Sequence, residues 1–210
     1  MRCGLGTGEA MSEPDIDSLS TMRLVWPARD YLAEYVAALE RGWSPDNLRQ
    51  EAAQEELARI AANADAFLAS LVDREAAGER FVFPDGSSVP RLPGYRVWMW
   101  DGGFCGSASL RWQPGTEALP PYCLGHIGYA VVPWKRGRGY ATQALGELLE
   151  HAKAEGLRYV EITTRPDNVP SQRVILANRG VLVEEFTAPA ALGGHRHLRY
   201  RVQLDEQTRR

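Results

Sequence analysis

The sequence predicts a mixed α/β (α+β) fold, a sheet with helices packed on it, and three stretches carry that expectation. Gly125 to Gly156 begins as a β-branched and aromatic strand (Ile127, Tyr129, Val131, Val132). It stops at Pro133, then continues as an amphipathic helix from Tyr140 with Leu145, Leu148, Leu149 and Ala152 at helical spacing. Arg158 to Thr164 is a second strand, so strand, crossover helix and strand imply a parallel pair with a right-handed connection. Tyr95 to Trp100 and Phe104 to Trp112 are joined by Asp101-Gly102-Gly103, a hairpin turn. A parallel unit beside an antiparallel one fits neither a doubly wound sheet nor a barrel.

The remaining elements follow in order. Met22 to Trp26 is a short strand, and Arg29 to Arg41 a helix with Leu32, Tyr35, Val36 and Leu39 on one face. Ser44-Pro45-Asp46 combines a capping serine, a first-turn proline and an acid, which predicts a helix from there to about Ala62. Asn63 or Asp65 caps another, bearing Phe67, Leu68, Leu71 and Val72 and ending by Gly78. Glu51, Glu55 and Glu56 read as a solvated face. Phe81 to Pro93 is a loop or short hairpin, and Trp98, Trp100 and Trp112 either pack across strands or line a pocket. Gly156 closes the central helix in the left-handed conformation. After the second strand come a helix from Pro170 to about Ala177 and strands over Val181 to Phe186 and Leu198 to Leu204.

Composition bounds the function. A net charge of −3 argues against a general nucleic-acid binder, which needs a basic footprint. Cys3, Cys105 and Cys123 are an odd number without metal-type spacing, the pattern of reduced thiols in the cytoplasm. No apolar run reaches the length of a membrane span. Residues 1–21 lack the apolar core of a secretory signal and are expected to form a mobile tail. The histidines are scattered, so no metal is expected.

The turn between strand and helix carries the chemistry. Gly137 and Gly139 have no Cβ and allow close approach of the backbone. The helix that follows leaves unpartnered N–H groups and partial positive charge at its start, and Lys135, Arg136 and Arg138 add full charges. The combination suits an anion, a phosphate or pyrophosphate. A nucleotide P-loop would need Gly-x-x-x-x-Gly-Lys-[Ser/Thr], which is absent, and a dinucleotide turn would begin directly at the strand end.

The turn resembles motif A of the GNAT superfamily of acetyl-CoA-dependent acyltransferases, [Gln/Arg]-x-x-Gly-x-[Gly/Ala], here Arg136, Gly139 and Ala141. Asn168-Val169-Pro170-Ser171 and the helix running to Gly180 are similar to motif B. The similarity is nearest the branch containing ribosomal-protein alanine N-acetyltransferases, where Ile-Gly-Tyr also precedes motif A, as Ile127-Gly128-Tyr129 does here. It spans Gly94 to Phe186, and more loosely Met22 to Gly42. The resemblance implies a GNAT-like central sheet, mostly antiparallel, with one parallel strand pair at a cofactor cleft and helices on both faces. A single domain would cover residues 22–205, with extra helices at about 44–78.

Position by position, it implies that Val131 and Val132 pair with the pantetheine amides of acetyl-CoA, the cosubstrate. Arg136, Gly137, Arg138, Gly139, Tyr140, Ala141 and Thr142 would hold the pyrophosphate. Asn168 and Ser171 would contact the pantetheine arm or order the cofactor edge; from the residues alone, both are helix-capping types. Two departures stand out: the tyrosine that many members place in the motif B helix is Ile175 here, and the closing glycine is shifted by one, to Gly180 after Arg179.

The expected function is an acyl-CoA N-acyltransferase that moves an acetyl group to a primary amine, on a small molecule or peptide, by direct attack. The backbone N–H of Val131 or Val132 would stabilise the oxyanion. A thiol of pKa about 8.5 leaves tolerably as thiolate, whereas a lysine-like amine of pKa about 10.4 costs roughly 4.6 kcal/mol to deprotonate at neutrality. His126 is the candidate base, with Glu161, His195 and His197 behind it. The alternatives are a coenzyme A-binding sensor without turnover and, further off, a nucleotide-phosphate enzyme. A cytoplasmic monomer or homodimer is expected, without nucleic-acid or membrane partners.

Overall fold

The structure is a computed structural model that describes residues 21–46, 49–82 and 86–204; the predicted tail falls, but for its last residue, outside them. The first half runs β1 (Arg23–Val25), α1 (Arg29–Glu40), α2 (Ala52–Ser70), β2 (Val72–Asp73), β3 (Phe81–Val82), β4 (Ser88–Val89), β5 (Gly94–Trp100) and β6 (Phe104–Arg111). The second runs β7 (Ile127–Val131), α3 (Tyr140–Ala154), β8 (Tyr159–Thr164), α4 (Val169–Ala177), β9 (Val181–Thr187) and β10 (Arg196–Gln203).

Two antiparallel sheets result. In the first, β1 and β2 share one edge of β5, followed by β6 and then β7; in the second, β10 lies between β8 and β9. The small β3–β4 hairpin stands apart. Strands β7 and β8 are the expected parallel pair, yet no ladder joins them. They meet only where the chain enters β7: the N–H of His126 donates to the carbonyl of Glu161 at 2.7 Å, and the N–H of Glu161 donates to His126 Nδ1 at 2.9 Å. A Cβ on Gly125 would lie 3.1 Å from the Glu161 carbonyl oxygen, so glycine permits this approach. Beyond the junction each strand follows the twist of its own sheet, and the pair splays.

Helices cover both faces of the first sheet. Helix α3 presents Leu145, Leu148 and Ala152 to Val97, Met99, Leu110 and Ile127, and to Val160 and Ile162 of the second sheet, tying the two together. Its end is a Schellman arrangement: Gly156 has φ +87°, its N–H donates to Lys153 and that of Leu157 to Ala152, as the glycine predicts. On the opposite face α1 and α2 bury an aromatic cluster, in which Tyr35 stacks on Trp98 at 4.5 Å and meets Phe104 edge-on at 5.1 Å. Trp98 and Trp112 are therefore packing residues, and Trp100 leans on Tyr31 at 4.7 Å.

Three local expectations change. Ser44 does not start a helix: its hydroxyl accepts from the N–H of Asp46 and donates to the carbonyl of Arg49, closing a loop ahead of Ala52. Asn63 does break and restart α2, with φ −162° and its Oδ1 accepting from the N–H of Ala66 at 3.0 Å. The following helix ends at Ser70, where Val72 and Asp73 join β5 as a strand. Glu56 is not on a solvated face. It is buried, accepts from the Tyr35 hydroxyl, and pairs with Arg96 Nη1 at 2.8 Å. That pairing satisfies a charge whose burial alone would cost several kcal/mol.

Candidate active site

The splay makes a cleft whose walls follow from strand register. Val132 donates its N–H to Cys105 at 3.0 Å and Arg111 donates to His126 at 2.9 Å, bounding the β6–β7 ladder. Bonded positions alternate, so Ile127, Tyr129 and Val131 direct their N–H and C=O groups away from β6, towards β8. Val131 thus faces the cleft with its main chain. Val132 does not: its N–H is held by Cys105 and its side chain is wholly buried among Tyr35, Trp98 and Phe104. The oxyanion and pantetheine roles expected of Val132 are corrected accordingly, because ladder parity turns it inward.

At the open end of β7, Pro133–Lys135 makes one 3₁₀ turn and Gly139 caps α3. Gly137 and Gly139 have φ +78° and +80°, and a Cβ on either would meet open space. Glycine is needed there for the left-handed backbone, not to make room within the protein. Among the described residues, the N–H groups of Gly137, Arg138, Gly139, Tyr140, Ala141 and Thr142 donate to no protein acceptor. Six consecutive free donors at a helix start have the arrangement that could receive an anion.

The charges around this loop divide. Arg136 is exposed and its Nε donates to the Val131 carbonyl at 3.3 Å. Lys135 is not free for a ligand: its Nζ donates to Asp101 Oδ1 at 2.6 Å. The Tyr140 hydroxyl donates to Asp101 Oδ2 at 2.6 Å, and Arg138 Nη1 lies 4.0 Å from the same oxygen. Burial works against the charged form of Asp101, but the hydrogen bonds from Lys135 and Tyr140 outweigh it and hold the carboxyl down at about 2. In the sequence Asp101 reads as a turn residue only; its position in the β5–β6 turn gives no signal of a loop more than thirty residues later.

Across the cleft, Asn168 and Ser171 sit together at the start of α4. Asn168 Oδ1 accepts from the N–H of Ser171 at 3.2 Å, a helix cap. Ser171 Oγ lies 2.9 Å from the Tyr129 hydroxyl, a contact that straps α4 to β7. Burial pushes the Tyr129 phenol up to about 12, so it stays protonated. Ile175, at the position where many family members carry a tyrosine, is fully buried.

The candidate bases fare poorly. His126 is fully buried at the closed end of the cleft. Its Nδ1 lone pair receives the Glu161 N–H, so the neutral ring carries its proton on Nε2 and has no lone pair left for an incoming one. Burial also lowers its pKa below the ordinary histidine value. Glu161 is clasped by Arg199 Nη1 and Arg201 Nη2, each at 2.7 Å; despite burial, these bonds hold its carboxyl below the usual range. His197 is buried against Phe186, and His195 is exposed just before β10, its carbonyl accepting from the N–H of Ala188 at 2.9 Å. Among the described residues no cluster of potential ligands could hold a metal ion.

Comparison with known proteins agrees with this geometry. Residues 22–179 match the Acetyltransferase (GNAT) domain family. No curated protein sequence matches the chain. Among solved structures, the microcin C7 self-immunity acetyltransferase MccE, in complex with acetyl-CoA and AMP, superposes with a TM-score of 0.58 at 13% identity, covering 90% of this chain and 95% of that one. Mycobacterium smegmatis RimJ, in complex with CoA-disulfide, gives 0.55 at 21% identity over 89% and 83%. A candidate ribosomal-protein-serine acetyltransferase from Vibrio cholerae gives 0.53 at 15% identity over 87% and 93%. These likenesses are of fold. With three quarters of its length inside the family match, a splayed strand pair and a free-donor loop at its open end, the chain belongs to the GNAT acetyltransferase family.

Proposed function

We propose that the protein transfers an acetyl group from acetyl-CoA to a primary amine within the β7–β8 cleft. The observation that carries this is the run of unpartnered N–H groups from Gly137 to Thr142, whose number and position fit a diphosphate. Those donors, with Arg136 and Arg138, would hold the pyrophosphate; the cleft-facing main chain of Val131 would hold the pantetheine arm and offer its N–H to the oxyanion. Asn168 and Ser171 would shape the far wall through the α4 cap and the Tyr129 strap. Bound acetyl-CoA supplies the acyl group as an activated thioester, and MccE and Salmonella typhimurium yncA are solved with it.

The acceptor follows from proton bookkeeping. His126, Glu161 and His197 are each buried or engaged and exposed His195 stands on the connection before β10, so on this reading the amine arrives neutral. An α-amino group of pKa about 8 costs about 1.4 kcal/mol to deprotonate at pH 7, against about 4.6 kcal/mol for a lysine-like amine. An α-amine, on a small molecule or a peptide, is therefore the favoured acceptor. The single domain over residues 22–205 and a cytoplasmic location complete the proposal. Among the described residues no helix is long and apolar enough to cross a membrane.

Calorimetry with acetyl-CoA, ATP and NAD tests the site: acetyl-CoA alone should bind. Thiol release with a panel of α-amines and lysine-like amines tests the reaction, and its rate should rise with pH through the acceptor's own pKa. Binding of ATP or NAD with none of acetyl-CoA would sink the assignment. Tight acetyl-CoA binding without release by any amine would favour the sensor.

A further inference from the structure

The loop presents a puzzle of charge. A diphosphate site gains from every nearby cation, yet Lys135, next to the free donors, is paired at 2.6 Å with a carboxylate that is itself only 11% exposed. Asp101 lies in the tight turn between β5 and β6, a part of the first sheet fixed by the ladder on both sides. From there one oxygen grips Lys135, immediately before the Arg136–Gly139 turn, and the other grips Tyr140, immediately after it. The turn between these two anchors contains both left-handed glycines and half of the free N–H groups. Beyond Asp101, which Arg138 Nη1 also approaches at 4.0 Å, the described side-chain bonds tie this segment to the first sheet only from Arg136 Nε to the Val131 carbonyl at 3.3 Å and from Lys135 Nζ to Cys105 Sγ at 3.5 Å.

We infer that Asp101 is a positioning residue for the cofactor: it clamps the two flanks of the Arg136–Gly139 turn so that the N–H groups converge on a diphosphate. Its negative charge is unfavourable to the ligand, and the structure tolerates it because aligned donors matter more than one additional mobile cation. The inference rests on the acetyl-CoA reading above. It goes beyond it in naming a residue that touches no ligand.

The charge conflict makes the test one of sign. Asp101→Ala removes both acceptor oxygens together with the negative charge beside the anion site, so Lys135 and Tyr140 each lose their acceptor on the β5–β6 turn. If Asp101 acted only through its charge, coenzyme A would bind the variant more tightly. If it positions the loop, binding weakens, by about tenfold or more, which corresponds to about 1.4 kcal/mol. Calorimetry with coenzyme A reads the sign directly. In kinetics the KM for acetyl-CoA should rise while that for the amine stays within twofold, a split that general destabilisation would not produce. Tyr140→Phe removes one anchor and keeps the Asp101–Lys135 pair; it should weaken binding by roughly threefold, and it serves if the Ala variant does not fold. In the ligand-free protein, the NMR order parameters of the Gly137 and Gly139 amides should fall in either variant. Unchanged or tighter coenzyme A binding, or unaltered order parameters, overturns the inference. Wild-type protein that fails to bind coenzyme A would instead overturn the site assignment, and the order parameters would still decide whether Asp101 clamps the loop.

Discussion

The two ends of the β7–β8 pair are built from the same kinds of residue and do opposite things. At the closed end, one histidine satisfies both the carbonyl and the N–H of Glu161, and a glycine lets the strands touch. At the open end, the N–H of Val131 and the six N–H groups from Gly137 to Thr142 have no such partner among the described residues. Closing one end lets the other stay open. Two sheets joined at a single point can diverge without either losing its own ladder, and the polar groups left at the mouth become the site. His126 thus joins the two sheets, and its ring is engaged in that junction.

The largest expected effect is on the closed end. His126→Ala leaves the part-buried Glu161 N–H without its acceptor and opens a cavity where the fully buried ring was, which should cost about 2–4 kcal/mol in denaturant unfolding. A cost below about 1 kcal/mol would mean that the histidine does not pin the strands. Next comes pH. Because burial lowers the pKa of His126 in the fold, unfolding lets the ring take up a proton once pH drops below about 6.5. Its contribution is intact above that value and declines towards the depressed folded pKa, with a slope of up to about 1.4 kcal/mol per pH unit. Buried His197 shifts the same way and adds to the slope. Urea midpoints between pH 5 and 8 should therefore fall with acidity, and His126→Gln should flatten the curve; an equally steep curve in the variant would locate the effect elsewhere.

The open end should respond in ligand binding more than in folding. Gly139→Ala forces a side chain into φ +80° with no clash, a strain of about 1–2 kcal/mol, and should weaken coenzyme A binding by about tenfold in calorimetry. Full affinity in that variant would show that the left-handed turn does not set the donors. The smallest change is Arg138→Gln. This exposed side chain should contribute about 0.3–1 kcal/mol at low salt and almost nothing at 0.5 M salt, a range that titrations at two salt concentrations can resolve.

Much of this architecture was legible in the chain. The hairpin at Asp101-Gly102-Gly103, the strand–turn–helix around Gly137 and Gly139, the Asn63 break in α2 and the Gly156 stop all depend on neighbours a few residues away, and each formed as expected. Ser44 misled because a serine hydroxyl closes a loop as readily as it caps a helix. Asn168 and Ser171 carried both of their possible meanings into the structure: they cap α4, and Ser171 also reaches Tyr129.

By itself, then, the sequence determined the order of elements, the glycines that must turn left-handed and the place where an anion would be held, because these are written in local backbone preferences. Only the tertiary structure decided that Val132 faces inward while Val131 faces the cleft, that Glu56 is buried against Arg96, that His126 closes the sheet junction, and that Asp101 reaches Lys135 and Tyr140. Those outcomes depend on ladder parity and on contacts between residues far apart in the chain, which no local pattern encodes.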